Sequence, residues 1–106
     1  MVKLLALLYK RPEMTMEEFR HYWREIHGPI AATFPGLRKY VQNYPLDEAV
    51  LSPSPWDGTA ELWFDSLEAL QQSLASPEGQ AVHADHANFL DTERTTAVVF
   101  HEVSIL

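Results

Sequence analysis

Positions 2 to 9 form an apolar run, Val2 and then Leu4-Leu5-Ala6-Leu7-Leu8-Tyr9, broken only by Lys3. A run of that length without alternation fits a strand buried on both faces. Pro12 closes it, and Thr15-Met16-Glu17-Glu18 has the form of a helix start, with Thr15 as N-cap and Glu18 completing a capping box. The spacing predicts a helix to about His27 whose core-facing stripe is Met16, Phe19, Trp23, Ile26 and Ile30, with Glu17, Arg20 and Arg24 on or near the solvated side. Gly28-Pro29 is expected to interrupt it, because Pro29 has no N–H to donate and disfavours helical geometry at Gly28.

Pro35-Gly36 marks a turn, and Leu37 to Tyr44 reads as a second strand carrying Tyr40, Val41 and Tyr44. Residues 45 to 57 hold three prolines and read as a long loop. Gly58 to Phe64 alternates cleanly, Ala60, Leu62 and Phe64 on one face and Thr59, Glu61 and Trp63 on the other. Asp65-Ser66 supplies the cap of a second helix with Leu67, Leu70 and Leu74 as its stripe. Ser76-Pro77 restarts helical structure towards Phe89, and Thr95 to Ile105 is a last strand. The order β-α-β-β-α-β within one domain, residues 1–106, predicts an α+β, ferredoxin-like βαββαβ fold: a four-stranded antiparallel sheet with both helices on one face. The other face is left bare, and the first strand is apolar at both parities. Covering that surface is favourable at ~25 cal/mol per Å², so a homodimer with sheets packed face to face, a dimeric α/β barrel, is expected.

Charge and composition narrow the partners. Lys plus Arg number 8 against 15 Asp plus Glu, a formal charge of −7, which argues against nucleic acid and anionic membranes. No window approaches the about 18 apolar residues of a membrane span, and the first nine residues are too short and wrongly flanked for a signal peptide, so a cytoplasmic protein is expected. The absence of cysteine excludes disulfides, thiolate metal sites and a cysteine nucleophile. With four glycines and no Gly-x-Gly there is no nucleotide fingerprint, and no cofactor is expected.

Several pieces in their order resemble one family. Phe19-x-x-x-Trp23-x-x-x-His27-Gly28-Pro29, Pro35-Gly36-Leu37-x-x-Tyr40-Val41-x-Asn43 and Asp57-Gly58-x-Ala60-Glu61-x-Trp63-Phe64 are followed by Ser76-Pro77-Glu78-Gly79 and Asp85-x-x-x-Phe89-Leu90-Asp91. The chain thereby resembles an EthD-domain protein over nearly its whole length. The resemblance implies a dimeric barrel of ferredoxin-like subunits. It also implies kinship with proteins encoded beside a cytochrome P450 system that degrades ethyl tert-butyl ether, with dehydratase- or decarboxylase-like proteins of fungal polyketide pathways, and with cofactor-free monooxygenases, cyclases and haem-binding enzymes of the wider superfamily.

Chemistry rests on few residues. His27 ends the first helix beside Trp23, and its ordinary pKa near 6.5 suits an acid/base group; the competing role is a favourable interaction with the helix C-terminus. The family's His-Gly-Pro favours the former. Tyr40, Asn43 and Tyr44 with Glu61 and Trp63 supply the aromatic walls and polar tips of a pocket for an aromatic or polyketide-like ligand. Tyr40 and Tyr44 share a strand face that Asn43 does not. Glu61 beside Trp63 on a covered face would be a second acid/base group with a raised pKa, against a rim position paired with Arg38 or Lys39. Asp85 fits the family pattern, and Phe89 is expected in the core. His83, Asp85 and His86 lack the further ligands of a metal site and read as a solvated helix face, so no metal is expected. His101, among valines, reads as a core histidine, with a haem ligand as the rarer role. Trp56 reads as a lid or interface anchor in the long loop.

The expected function is a small dimeric, cofactor-free enzyme, an oxidoreductase or a dehydratase or cyclase, using His27 as acid/base and Glu61 beside it. The alternatives are a non-catalytic ligand-binding accessory of a degradation pathway and a haem-linked oxidoreductase.

Overall fold

In the computed structural model, which describes residues 1–106, the two strands with the strongest apolar patterns take the two inner places of the sheet. They are β1 (Val2–Leu8) and β3 (Gly58–Phe64). The edges are β2 (Lys39–Asn43) and β4 (Thr96–His101), in the order β2-β3-β1-β4, every pair antiparallel. This is the ferredoxin-like arrangement that the element order predicts. The register pairs Leu4 with Leu62 and Ala6 with Ala60, so those residues share one face with Phe64 and Leu8. Lys3, Leu5 and Leu7 share the other with Trp63, Glu61 and Thr59.

All helices lie against the first of these faces. They are α1 (Met16–His21), α2 (Gly28–Ala31), α3 (Leu67–Ala75) and α4 (Pro77–Asp85). The core between the layers is built on Phe19, Trp23, Phe64, Leu70, Val82 and Phe89, each at most 2% exposed. The predicted caps form: Thr15 Oγ1 accepts from the Glu18 N–H at 3.1 Å while Glu18 Oε1 accepts from the Thr15 N–H at 2.8 Å. Ser66 and Ser76 cap α3 and α4 in the same way, accepting from Ala69 and Gly79. No helix is long and apolar enough to cross a membrane.

Gly28-Pro29 does not end the first helix. The chain passes from α1 into a π-helical segment, Tyr22–His27, and resumes as α2. The Gly28 N–H reaches back five residues to the Trp23 carbonyl, a widened turn that relieves the clash between a helical proline ring and the carbonyl four residues before it. The widening also changes which residues face the core. Phe19, Trp23, His27 and Ala31 are all buried, although steps of four drift by about 40° each in an α-helix. The π segment takes up that drift. Ile26, expected in the stripe, is accordingly 43% exposed, and His27 holds its place at 4%.

Other expectations shift as well. Leu67 and Leu74 lie half exposed beside the buried Leu70, and Ser73 is buried in their stead. The last strand ends at His101, before Ile105, and every residue of β4 is exposed, so His101 is no core histidine. β1 is half-buried, with only Leu8 fully enclosed, because one face of the sheet carries no helix.

Candidate active site

Between the helices and the covered face of the sheet lies a cavity of about 360 Å³. Its walls are mostly apolar, with Leu4, Ala6, Leu62 and Phe64 from the sheet and Leu70 and Val82 from the helices. The polar exceptions include His27, His83 and His86 on the helical side and Tyr40 on β2. A largely apolar chamber with a few convergent polar groups is the form of a small-molecule site.

His27 is fixed from behind. Its Nδ1 lies 2.8 Å from Asp85 Oδ2, at the C-terminal end of α4. The other carboxylate oxygen of Asp85 accepts from the Tyr22 hydroxyl at 2.6 Å and from Asn88 Nδ2 at 2.9 Å. Burial pushes the Asp85 carboxyl up, but these hydrogen bonds from Tyr22, Asn88 and His27 outweigh it, and the group stays below the usual carboxylate range. An ionised Asp85 only accepts, so Nδ1 of His27 carries the proton and Nε2 offers a lone pair. Burial, opposed by Asp85, pushes the His27 pKa down, so the ring is neutral at pH 7. Nε2 has no protein partner, and it is not among the enclosed unpartnered atoms, which are Arg20 Nε and Ser73 Oγ. The ring forms part of the cavity wall, so the lone pair belongs to the chamber.

Phe89 and His86 pack on His27, with ring centroids 4.6 and 5.2 Å away. Burial, and the neighbouring His27 and His83, push the His86 pKa down to about 4. His86 is therefore a neutral neighbour that brings no positive charge to the site.

On the opposite wall, Tyr40 belongs to a second polar chain. Gln42 Nε2 donates to the Tyr40 oxygen at 2.8 Å and to the Trp23 carbonyl at 2.9 Å. The Tyr44 hydroxyl donates to Gln42 Oε1, and Arg24 Nε donates to the Tyr44 oxygen at 3.4 Å. Tyr44 also packs on Trp23, ring centroids 4.8 Å apart.

The structure thus brings Trp23, His27 and Tyr40 to one chamber, with Asp85 behind His27 and Tyr44 behind Tyr40. It does not bring Glu61, Asn43 or Trp63 there. They lie on the bare face, where Glu61 accepts from Asn43 Nδ2 at 2.9 Å and from Lys3 Nζ at 3.0 Å. Those two bonds hold the Glu61 carboxyl below its ordinary range, the opposite of the raised pKa expected for an unpaired acid. Its partners are not Arg38, which pairs with Asp65, or Lys39, which lies over the Trp63 ring. The segment from His83 to His86 is solvated only in part: His83 and Ala84 are exposed, whereas Asp85 is 9% exposed and both histidines border the cavity. No group of three or more His, Asp or Glu is arranged to hold a metal. Trp56 lines a separate groove under residues 45–57 with Met16 and Arg20.

Sequence reasoning misses Tyr22, Gln42 and Asn88. Tyr22 and Asn88 act only by holding Asp85, and nothing in a linear pattern pairs residues so far apart. One signal was available: the four-residue spacing Phe19-Trp23-His27-Ala31 marks His27 as inward-facing.

Comparison with known proteins agrees with the fold. The EthD domain profile matches residues 11–93, a span that contains both His27 and Asp85. The dehydratase aurZ of Gibberella zeae is 25% identical over 114 residues, covering 93% of this chain and 75% of that protein. The crystal structure of an EthD family protein from Bacillus halodurans superposes with a TM-score of 0.82 at 29% identity, covering 97% of this chain and 99% of that one. A dimeric ferredoxin-like protein of unknown function from Thermobifida fusca superposes at 0.71 with 19% identity, over 95% and 90% of the two chains, a likeness of fold.

Proposed function

Because this chain belongs to the EthD domain family, we propose that it is a homodimeric, cofactor-free enzyme that moves a proton on an aromatic or polyketide-like small molecule, with His27 as the base. One observation carries the reading: a neutral imidazole, oriented through Nδ1 by a buried carboxylate, offers Nε2 to an apolar chamber. A base oriented by a third group is how general acid/base sites are built, and such proton transfer contributes about 10²–10⁴-fold. The chamber suits ring systems because its walls are aromatic and aliphatic. A dehydratase among the relatives supports chemistry that begins with loss of a proton from carbon.

The bare face supports the dimer. Val98 and Phe100 of β4 are 47% and 43% exposed, and in register Leu5 of β1 stands beside Val98 on the same face. Covering that apolar surface with a second copy is the economical solution, and a protein of the same fold is dimeric.

The test is turnover by wild type and His27→Gln on a panel of hydroxylated polycyclic ketones, followed by ultraviolet absorbance. The reading expects wild-type turnover that falls by about 100-fold or more in the variant, with the oligomer unchanged. Turnover equal in both proteins would remove His27 from the mechanism.

A further inference from the structure

We propose that Tyr40 is the hydrogen-bond donor that takes the substrate's carbonyl oxygen, so that the substrate is a carbonyl compound with a removable hydrogen on the adjacent carbon, carried on or beside a ring system. This rests on the proton-transfer reading above and adds its second half, the group that receives the charge.

Arg24 can only donate, and the Trp23 carbonyl can only accept. The atom of Gln42 that meets the Trp23 carbonyl at 2.9 Å is therefore the amide nitrogen, and its second N–H goes to the Tyr40 oxygen at 2.8 Å. The amide oxygen of Gln42 is then the acceptor for the Tyr44 hydroxyl, whose own oxygen accepts from Arg24. The chain runs one way, Arg24 to Tyr44 to Gln42 to Tyr40. The phenol accepts from Gln42, and its own hydrogen is given to no protein acceptor. Burial holds that proton in place by pushing the Tyr40 pKa up. In a chamber this apolar, a donor of that kind is unspent until a ligand oxygen arrives, and the chain behind it polarises the O–H further.

The chemistry balances without a further reactant. The Nε2 lone pair of His27 takes the hydrogen from the carbon next to the carbonyl, and the C–H electron pair moves into the carbonyl, leaving an enolate oxygen. Tyr40 donates to that oxygen. When a hydroxyl stands one carbon further on, the enolate electrons return to form a C=C bond and expel it. The hydroxyl leaves with the proton from His27 as water, and His27 is again neutral. Removing one such oxyanion donor costs about 10²–10³ in rate elsewhere.

The experiment uses two probes and the intact protein. The anion of 2-hydroxy-1,4-naphthoquinone carries the delocalised enolate charge, and 1,4-naphthoquinone lacks it; binding is followed by tryptophan fluorescence quenching at pH 7.5. Wild type is expected to bind the anion at least tenfold more tightly than the neutral quinone, and Tyr40→Phe to lose that preference while holding the neutral quinone within about twofold, which also shows that it is folded. Gln42→Met, which removes the bond to the Tyr40 oxygen, is expected to lose part of the preference. An undiminished preference in Tyr40→Phe overturns the role of Tyr40 and leaves His27 and the cavity untouched. Failure of wild type to bind either probe overturns both this inference and the reading it rests on.

Discussion

The carboxylate of Asp85 and the imidazole of His27 meet at 2.8 Å across 58 positions of sequence, both nearly enclosed. The pair joins the end of α4 to the end of the π segment, so the same contact ties two helical elements together and sets the tautomer that faces the cavity. Asp85→Asn keeps the shape and removes the charge. An amide can turn its nitrogen toward Nδ1, which then accepts and moves the ring proton to Nε2. Turnover on any substrate found in the panel should fall by about 10²–10⁴, with KM changed far less than kcat. A variant with wild-type kcat would show that the tautomer does not matter.

Asp85→Ala is a different test, of stability. It removes the acceptor of the Tyr22 hydroxyl, the Asn88 amide and the His27 N–H; of the three residues His27 is buried, Tyr22 half-buried and Asn88 exposed. At about 1–3 kcal/mol for a buried group left without a partner, the loss is expected to be about 1–3 kcal/mol, read by urea denaturation. A loss under 1 kcal/mol would mean that water reaches and satisfies all three.

Protonation acts in one direction. His27 and His86 both hold pKa values below the ordinary histidine value, so the unfolded chain takes up protons first as the pH falls. Their contribution to stability is full above about pH 6.5 and is lost on the way down, for His86 through its folded value of about 4. At about 1.4 kcal/mol per pKa unit the His86 share is at most about 3–4 kcal/mol. The carboxyl of Asp85, held low, loses its contribution in the same direction at still lower pH. Urea midpoints measured between pH 7.5 and 4.5 should decline, and His86→Asn should flatten the decline. A flat wild-type profile would place both rings in water.

Two glycines permit close approaches that a methyl group would block. A Cβ at Gly58 would lie 2.5 Å from Cζ3 of the Trp23 ring, and one at Gly79 would run into the backbone carbonyls of Ser73 and Leu74. Gly58→Ala should cost about 1–3 kcal/mol and disturb the wall that Trp23 gives the cavity. Gly79→Ala should cost more, since backbone at the α3–α4 junction yields less than a ring. Thermal melts of the two variants give the comparison, and a Gly79→Ala variant as stable as wild type would contradict it.

The bare face predicts the oligomer. Val98→Glu places a charge among Leu5 and its apolar neighbours in the proposed interface, so sedimentation should show monomer where wild type shows dimer. A wild-type monomer at micromolar concentration would refute the dimer outright.

The fold was legible where a single period governed a segment. β3 alternates and is buried at every second residue, and the capping box at Thr15 and Glu18 forms as written. The first helix was legible only in part, since a 3.6-residue period selects Ile26 where the π segment turns His27 inward. His27 could be named from its residue type and surroundings, whereas the reason for its tautomer lies in Asp85, Tyr22 and Asn88, brought to it by the packing of α4. Glu61 failed for the complementary reason. Its alternation with Ala60 and Leu62 already placed it on the opposite face from the helices, and the registers that bring Lys3 and Asn43 to it are long-range.

The proposed chemistry depends on His27 being a neutral base with its lone pair in the cavity. Nitrogen-15 spectra of the imidazole rings, assigned with His27→Gln and followed from pH 8 to pH 4.5, test it most directly. The expected result is an Nδ1–H, bare-Nε2 ring for His27 at pH 7 and a titration midpoint below the ordinary value of about 6.5. A ring protonated on both nitrogens at pH 7, or one carrying its proton on Nε2, would contradict it.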